Sequence, residues 1–244
     1  MVMVWLFAGG GHSELHLSPF FEKHFPICRF QRKLPIRARG PLPGPAGRRL
    51  PLPKRGMGHT GKALQQRLQE RLQESLQYEP PPDLLLVVDD LDCRDGPQEE
   101  QALRQTVDSL PQLAATPLVV AFAAPEIESW LLADWHNTFG AHSKFKARRK
   151  EMQHYLSTTG KVNFAQPEQF SAYDPDKKSC REKLSETIAA AYLASSGTGH
   201  FSKKEDSGPL LLLLNPATVA GKCLHFSSFW SALHQHLLQK KLSP

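Results

Sequence analysis

The stretch that decides the fold is LLLVVDDLD at residues 84–92, in which five apolar residues run directly into a group of carboxylates. A short apolar run bounded in this way predicts a buried β-strand at Leu84–Val88. Parallel α/β sheets place their functional sites at the carboxyl ends of their strands. We therefore expect Asp89, Asp90 and Asp92 to mark the functional edge of a sheet.

Outward from this strand, apolar runs and amphipathic segments alternate along the first half of the chain. Further strands are predicted at Val2–Ala8, Phe30–Ile36 and Pro117–Ala123. One of the intervening helices begins near Gly61, where leucines recur every four residues along an amphipathic segment. Alternating strands and helices predict an α/β fold with a mostly parallel sheet flanked by helices.

The pattern changes after about residue 136, and this change defines two expected parts of the chain. Residues 1–136 form an α/β core that is interrupted by a basic, proline-rich insertion at about residues 37–60. Residues 137–244 form a mostly helical C-terminal extension that packs on the core. Within the extension, the apolar run Leu210–Leu214 fits either a strand or a core helix.

Composition excludes several classes of protein. The chain has 244 residues, of which 40% are hydrophobic, so it is not wholly disordered. No apolar run approaches the roughly 20 residues that cross a bilayer, so no membrane partner is expected. The apolar N-terminal run lacks a basic start, which favours a strand over a signal peptide. Four cysteines without a CxxC pair argue against a zinc knuckle or a dense disulfide framework, and favour a reduced, cytoplasmic setting.

The net charge is +6, and the basic residues are unevenly spread. No acidic residue occurs between Glu22 and Glu70, where twelve lysines and arginines lie. Such a block suits a polyanion such as nucleic acid, although a solvated loop has the same composition. A second basic cluster, at residues 144–150, is open to the same two interpretations. The nucleic-acid-binding residues predicted from the first block are Arg37, Arg39, Arg48, Arg49, Lys54, Arg55 and Lys62.

The carboxylates after the central strand are candidate metal ligands. Asp90 with Asp92, or Asp89 with one of them, can share a hard cation. Mg²⁺ prefers carboxylate and water oxygens and usually takes one or two protein carboxylates, and Mn²⁺ can take its place. The alternative is an acidic turn, because Asp is common at strand ends and Asp95-Gly96 is itself a turn signal.

A second acidic group follows the predicted strand Pro117–Ala123. A helix is predicted at Pro125–Asp134, with Glu126 and Glu128 in its first turn. If the two strands are neighbours in the sheet, Glu128 faces the same crevice as the aspartates. The alternative for both glutamates is a favourable interaction with the helix N-terminus.

The glycine turn at residues 9–11 is a candidate anion site. It opens a predicted helix that carries Glu14 in its first turn, near the same edge of the sheet. His12 and His16 have an i, i+4 spacing that zinc ligands can use, but no third ligand is evident.

The segment Gly56–Ala63 resembles the phosphate-binding motif GxxxxGK[ST]. Ala63 stands where a hydroxyl must reach Mg²⁺, and a proline-rich loop precedes the segment instead of a clear strand. We interpret it as a false P-loop for ATP hydrolysis. Its amides and Lys62 could still hold a phosphate at the start of a helix.

Several motifs follow one another along the chain: the first strand with its glycine turn and Ser13-Glu14, Val88–Asp92, Glu126–Asp134, Asp174–Lys177, Tyr192 and Cys223–Phe229. In this order they resemble a known family, the Toprim-like proteins of domain of unknown function 4276. The resemblance covers most of the chain. The similar segment Asp174–Lys177 adds Lys177 to the predicted nucleic-acid-binding residues.

The resemblance implies a Toprim fold, in which acids at the edge of a small sheet bind Mg²⁺ and act on phosphodiester bonds. Such proteins occur in bacterial anti-phage defence, often beside an ATPase partner. The family's metal-binding Asp-x-Asp matches Asp90-Leu91-Asp92. Its general acid/base, a glutamate at the end of the first strand, is replaced by Ala8 or Gly9 in this chain. Glu14 matches a second acidic position of the family motif and could substitute.

The leading hypothesis is therefore a Mg²⁺-dependent Toprim-type nuclease that cleaves DNA or RNA with an ATPase or effector partner. The alternative, favoured by the missing first-strand glutamate, is a non-catalytic subunit that binds nucleic acid or a partner. Nucleotide or phosphate binding at residues 56–62 is a third hypothesis, and the chain could also form a homodimer. The expected catalytic residues are Glu14, Asp90, Asp92 and Glu128, and the expected metal ligands are Asp89, Asp90 and Asp92.

Overall fold

The computed structural model describes residues 1–9, 16–34, 60–196 and 199–242 of the chain. Its main sheet contains four strands, and all neighbouring strands are parallel. The α/β class with a parallel sheet flanked by helices is therefore confirmed. The strands are β1 (Val2–Ala8), β2 (Cys28–Leu34), β3 (Leu84–Asp90) and β4 (Leu118–Ala123), in the spatial order β2-β1-β3-β4.

Helices cover both faces of this sheet. A short antiparallel hairpin forms a second sheet, with strands β5 (Tyr173–Asp174) and β6 (Ser179–Cys180). Across the described parts of the chain, no helix combines the length and apolar composition that crossing a bilayer requires. The helices are α1 (Leu17–His24), α2 (Lys62–Leu76), α3 (Gly96–Asp108), α4 (Glu128–Ala133), α5 (Arg149–Thr158), α6 (Leu184–Ser196), α7 (Lys203–Leu213), α8 (Pro216–Ala220) and α9 (Leu224–Leu242).

Side chains of the strands alternate between two apolar cores, one on each face of the sheet. On β1, Val4 and Leu6 belong to the larger core, and Trp5 and Phe7 belong to the smaller one. On β3, residues 84, 86 and 88 join the larger core, and residues 85 and 87 join the smaller one. Because both faces are covered, these strands are apolar throughout, as is typical of parallel sheets.

The smaller core lies beneath α2 and α3. Leu64, Leu68 and Leu72 of α2 are buried there with Leu103 and Val107 of α3. The four-residue spacing of the leucines therefore marks the helix face that meets the sheet. Full burial of each such side chain contributes about 1.5–3 kcal/mol of hydrophobic free energy.

The larger core joins the sheet to the C-terminal helices. It includes residues from Val4 of β1 to Leu237 of α9, and α9 packs against β4. Trp230 of α9 stacks on Phe226 of the same helix and on Phe21 of α1. The helices after residue 136 thus share one core with the sheet, and the domain boundary expected there stays a prediction.

Helix α4 is shorter than the segment Pro125–Asp134 that was predicted as a helix. Helix α4 begins at Glu128, after a segment in which Pro125 accepts a hydrogen bond from the backbone N–H of Asp92. Helix α6 begins after the β5–β6 hairpin, where the Asp174 carboxylate accepts a bond from the backbone of Asp176 and turns the chain. The late apolar run at residues 210–214 is helical up to residue 213, in α7.

Candidate functional site

Asp89 and Asp90 lie on opposite faces of the sheet. Both end β3, along which side chains point alternately to the two cores. The Asp89 carboxylate accepts a 3.0 Å hydrogen bond from the backbone N–H of Gly61, on the face covered by α2. The Asp90 carboxylate accepts a 2.9 Å bond from the backbone N–H of Ile127, just before α4. The two aspartates therefore belong to separate networks.

On the first face, Asp89 is paired with Arg94. The guanidinium donates to Asp89 Oδ2 at 3.0 Å, and also to Glu99 and to the backbone oxygens of Asp90 and Leu91. Burial raises the pKa of Asp89 to about 7, although the N–H of Gly61 and the charge of Arg94 favour its ionised form. Its other oxygen, Oδ1, is buried and has no hydrogen-bond partner among the described residues.

Gly61 completes this network at the start of α2. Its φ is +55°, and a Cβ at this position would lie 1.7 Å from Nη1 of Arg94, so only glycine fits. Its N–H is already bonded to Asp89. This amide of the P-loop-like segment therefore binds Asp89 and is not free to bind a phosphate. Residues 56–59 of the segment lie outside the described residues.

On the opposite face, one ammonium lies between two carboxylates. Nζ of Lys203, the first residue of α7, is 3.0 Å from Asp90 Oδ2 and 3.1 Å from Glu128 Oε2. Glu128 is fully buried, and its Oε1 accepts a 2.8 Å hydrogen bond from the hydroxyl of Ser207. Asp90 and Glu128 thus meet at this edge of the sheet, with a lysine between them.

Burial and neighbouring charges set the proton affinities of this cluster. Burial raises the pKa of Glu128 to about 7, while Lys203 opposes the rise and the charges of Glu126 and Asp90 add to it. Burial lowers the pKa of Lys203, but the three surrounding carboxylates outweigh this effect and hold that pKa well above its ordinary value. Near neutral pH the lysine stays charged, and the glutamate is the group that titrates.

Glu126 borders the same cluster and ties it to the C-terminal helices. It is 5% exposed, and its carboxylate accepts a 3.0 Å hydrogen bond from the backbone N–H of Ser185 in α6. Since α4 starts at Glu128, Glu126 lies before the first helical turn in which it was expected.

Asp92 is the aspartate that lines a cleft. It lies in the turn after β3 with a φ of +49°, and its carboxylate accepts a 3.1 Å bond from the hydroxyl of Thr60. Burial and the charge of Asp90 raise its pKa. The cleft has a volume of about 800 Å³ and lies between this turn, the start of α2 and the hairpin. Its lining includes three cations, Lys62, Arg94 and Lys178, and three carboxylates, Asp92, Asp95 and Glu99, beside Thr60 and Tyr173.

A disulfide between Cys93 and Cys180 joins two walls of the cleft. Cys93 follows Asp92 in the turn, and Cys180 belongs to β6. The expectation of reduced cysteines is wrong for Cys93 and Cys180, because a separation of 87 residues carries no signal of pairing in the sequence. Cys28 and Cys223 are free and buried.

The predicted nucleic-acid-binding residues are only partly described. Lys62 lies at the N-terminus of α2, on the cleft wall. Lys177 is exposed in the hairpin and donates to the backbone oxygen of Arg181, whereas its neighbour Lys178 lines the cleft. Outside the described residues lie the predicted Glu14, Arg37, Arg39, Arg48, Arg49, Lys54 and Arg55.

Two of the three expected metal ligands, Asp89 and Asp90, are engaged by protein groups on opposite faces of the sheet. Both oxygens of Asp90 are occupied, one by the N–H of Ile127 and one by Lys203, and Asp89 faces the other side of the sheet. His16, the described half of the proposed zinc pair, packs closely against Gly208 of α7. In the described ranges, no three His, Cys, Asp or Glu side chains converge as metal ligands. Mg²⁺ and Mn²⁺ as cofactors stay predictions.

Sequence reasoning did not single out Arg94 and Lys203, which neutralise the two aspartates. Arg94 follows Asp89 by five residues, so a turn that folds back on the end of the strand could have suggested it. Lys203 is 113 residues from Asp90, and no local pattern connects them. Ser207 lies one helical turn after Lys203, and 79 residues separate it from its partner Glu128.

The resemblance to the Toprim-like family stays a prediction. At the end of β1, Ala8 pairs with Val88, so an apolar residue lies where that family carries its glutamate. Compared with protein-family models, curated proteins and solved structures, the chain has no match in any of the three.

Proposed function

We propose that this protein is a non-catalytic subunit that binds nucleic acid and holds no metal at the Asp89–Asp92 edge of its sheet. The observation that supports this best is the position of Lys203 between Asp90 and Glu128, at 3.0 and 3.1 Å. Metal-dependent phosphodiester cleavage requires carboxylates that are free to take the ion. In this protein Asp89, Asp90 and Glu128 are engaged by protein cations, amides or a hydroxyl, whereas Asp92 accepts a bond only from the hydroxyl of Thr60 among the described residues.

Nucleic acid is the proposed ligand because of the distribution of charge. The chain carries twelve basic residues and no acidic residue between Glu22 and Glu70. Lys62 from this block and Lys178 from the hairpin both line the cleft. Lys33 from the same block is buried in an ion pair with Glu79, so it is not counted among the binding residues. Lysines of this kind bind phosphate backbones through a salt-dependent, sequence-independent interaction.

The resemblance to the Toprim-like family suggests the setting in which such a subunit would act. It implies bacterial anti-phage defence, beside an ATPase or effector that carries out the chemistry. The cleft of about 800 Å³ between the hairpin and the turn after β3 is the proposed contact surface for the nucleic acid.

Binding measured over a range of salt concentrations tests the proposal. Labelled single-stranded DNA, duplex DNA and RNA are titrated by fluorescence anisotropy in the presence of EDTA. We expect binding in EDTA, and a log–log salt slope that falls by about 1 in Lys62→Gln and in Lys178→Gln. Lys161→Gln is the matched control for Lys178, because both lysines are exposed and have positive φ values, +52° and +54°. The proposal is rejected if no nucleic acid binds at low salt.

A Mg²⁺-dependent nuclease is the second candidate, and one observation favours it. Asp92 lines the cleft together with Lys62 and Lys178, so a carboxylate is present where a phosphate would bind. Incubation with plasmid, single-stranded DNA and total RNA in Mg²⁺, Mn²⁺ or EDTA separates the two candidates. Metal-dependent cleavage that Asp92→Asn abolishes would replace the first proposal, whereas binding without cleavage supports it.

A further inference from the structure

The Lys203 ammonium occupies a position with the chemistry of a divalent-cation site. Asp90 Oδ2 and Glu128 Oε2 approach it from two different elements of the fold, at 3.0 and 3.1 Å. We infer that Lys203 is a tethered counter-ion filling a latent Mg²⁺ or Mn²⁺ site between Asp90 and Glu128. Removal of the ammonium opens this latent site to the metal.

The two carboxylates of the latent site are oriented by groups other than Lys203. The N–H of Ile127 holds Asp90 Oδ1 at 2.9 Å, and the hydroxyl of Ser207 holds Glu128 Oε1 at 2.8 Å. The remaining oxygens, Oδ2 and Oε2, therefore keep their direction when the lysine is replaced. Two carboxylate oxygens completed by water suit Mg²⁺, which usually takes one or two protein carboxylates.

The start of α7 fixes the position of the lysine. The Ser202 side chain caps the helix by accepting a hydrogen bond from the N–H of Glu205. Asp206, in the first turn, accepts bonds from the Lys144 ammonium and from the N–H of Ser202. Because the helix end is anchored in this way, the ammonium is held between the carboxylates, where its charge repels a metal ion.

Glu126 adds a third buried carboxylate to the cluster of Asp90 and Glu128, so a cation at the position of Lys203 is more strongly favoured. Glu126 lies two residues before Glu128, and its buried carboxylate accepts a hydrogen bond from the backbone N–H of Ser185. Asp90, Glu126 and Glu128 are 8%, 5% and 0% exposed. Without Lys203, these buried acids have to take up protons or another cation, because an uncompensated buried charge is strongly unfavourable.

Electron paramagnetic resonance of Mn²⁺ measures binding at the latent site directly. Wild-type, Lys203→Ala and Lys204→Ala proteins are titrated with Mn²⁺. Lys204 is the next residue of α7 and is exposed, which makes Lys204→Ala the matched control. We expect Lys203→Ala to bind Mn²⁺ about 100-fold more tightly than wild type, because a positive charge close to the ion is removed. Lys203→Ala/Glu128→Gln should lose this gain, and Lys204→Ala should behave as wild type.

Two results overturn the latent site. One is a folded Lys203→Ala protein that binds Mn²⁺ no better than wild type. The other is obtained without a lysine variant: the wild-type protein binds Mn²⁺ tightly, and Glu128→Gln abolishes that binding. If Lys203→Ala does not fold without metal, its thermal unfolding is recorded with and without Mn²⁺, and a failure of Mn²⁺ to restore folding also counts against the site.

The latent site rests on the proposed function in one respect, because both assume that the wild-type edge holds no metal. Their failures are nevertheless distinguishable. Nucleic-acid binding is measured on the wild-type protein in EDTA, and its absence rejects the proposed function alone. A Lys203→Ala protein that gains no metal, beside a wild-type protein that still binds nucleic acid, rejects the latent site alone.

Discussion

The Asp89 carboxylate and the Arg94 guanidinium form an ion pair at 3.0 Å that is almost closed to water. The two side chains are 2% and 14% exposed. The same guanidinium donates to Glu99 of α3, to the backbone oxygen of Asp90 at the end of β3 and to that of Leu91 in the following turn. One arginine therefore connects the end of the central strand, the turn that carries Asp92, and the following helix.

Replacing Arg94 with alanine is expected to destabilise the fold by about 3–5 kcal/mol, because removal of one partner leaves a buried charge uncompensated. The free energy of unfolding is measured by urea denaturation. Arg104→Ala is the control, since Arg104 pairs with Glu100 on the exposed surface of α3 and such pairs contribute only about 0.3–0.5 kcal/mol. Similar losses in the two variants would contradict the structural role assigned to Arg94.

Strands β1, β3 and β4 were predictable because their local sequence contains the necessary information, whereas β2 begins two residues before its predicted start and the hairpin strands β5 and β6 were not predicted. Val2–Ala8 was expected as a strand covered on both faces, and β1 has those same bounds. The spacing of leucines in α2 likewise marks the helix face that meets the sheet. In both cases the signal lies in consecutive residues, as a continuous apolar run in β1 and as leucines every four residues in α2.

The electrostatic partners of the site were not predictable from such patterns. The direction of Asp89 and Asp90 depends on where β3 ends, since a shift of one residue reverses a side chain. Lys203 reaches Asp90 only because α7 packs beside the sheet after a separation of 113 residues. The sequence analysis could therefore place carboxylates at the edge of the sheet but could not reveal that protein cations neutralise them.

The free energy of unfolding should contain a component that falls as the pH rises from about 4 to about 7. Burial raises the pKa of Asp89 and of Glu128 to about 7 in the folded protein. In the unfolded chain these groups titrate near about 3.9 and 4.3. Between those limits the folded state binds more protons than the unfolded state, so stability is lost as the pH increases through the folded pKa.

Asp89→Asn and Glu128→Gln should each reduce the difference in unfolding free energy between pH 5 and pH 8. For Glu128→Gln the reduction should be about 3 kcal/mol. The measurement is urea denaturation of each protein at pH 5 and pH 8. Asp108→Asn, at an exposed position near the end of α3, serves as the control and should follow the wild type. Unchanged pH dependence in both buried variants would mean that these carboxylates titrate normally.

Gly61→Ala should destabilise the protein by at least about 1–3 kcal/mol, the cost of a strained backbone at a non-glycine residue. The φ of +55° disfavours a side chain, and the new Cβ would overlap Arg94 and push it away from Asp89. Gly221→Ala is the control, because Gly221 has a φ of −71° and a Cβ added there would lie 3.6 Å from its nearest neighbouring atom. Equal melting temperatures for the two variants would argue against a tight contact at Gly61.

Loss of the Cys93–Cys180 disulfide should lower the free energy of unfolding by about 2–4 kcal/mol. The bond constrains two segments separated by 87 residues, and it holds the hairpin with Tyr173 and Lys178 beside the turn with Asp92. Dithiothreitol should therefore destabilise the wild-type protein but leave a Cys93→Ser/Cys180→Ser variant unchanged. If dithiothreitol destabilised both proteins equally, it would be acting on something other than this disulfide.

The same variant tests whether the hairpin forms a wall of the binding cleft. Because Lys178 is carried by the hairpin, freeing it from Cys93 should weaken nucleic-acid binding while the sheet and its two cores remain folded. Fluorescence anisotropy measures the affinity, and circular dichroism checks the fold. Cys28→Ser is the control, since Cys28 is buried and forms no disulfide. Unchanged affinity in the double variant would place the nucleic-acid contact away from the hairpin, on the α2 side of the cleft where Lys62 lies.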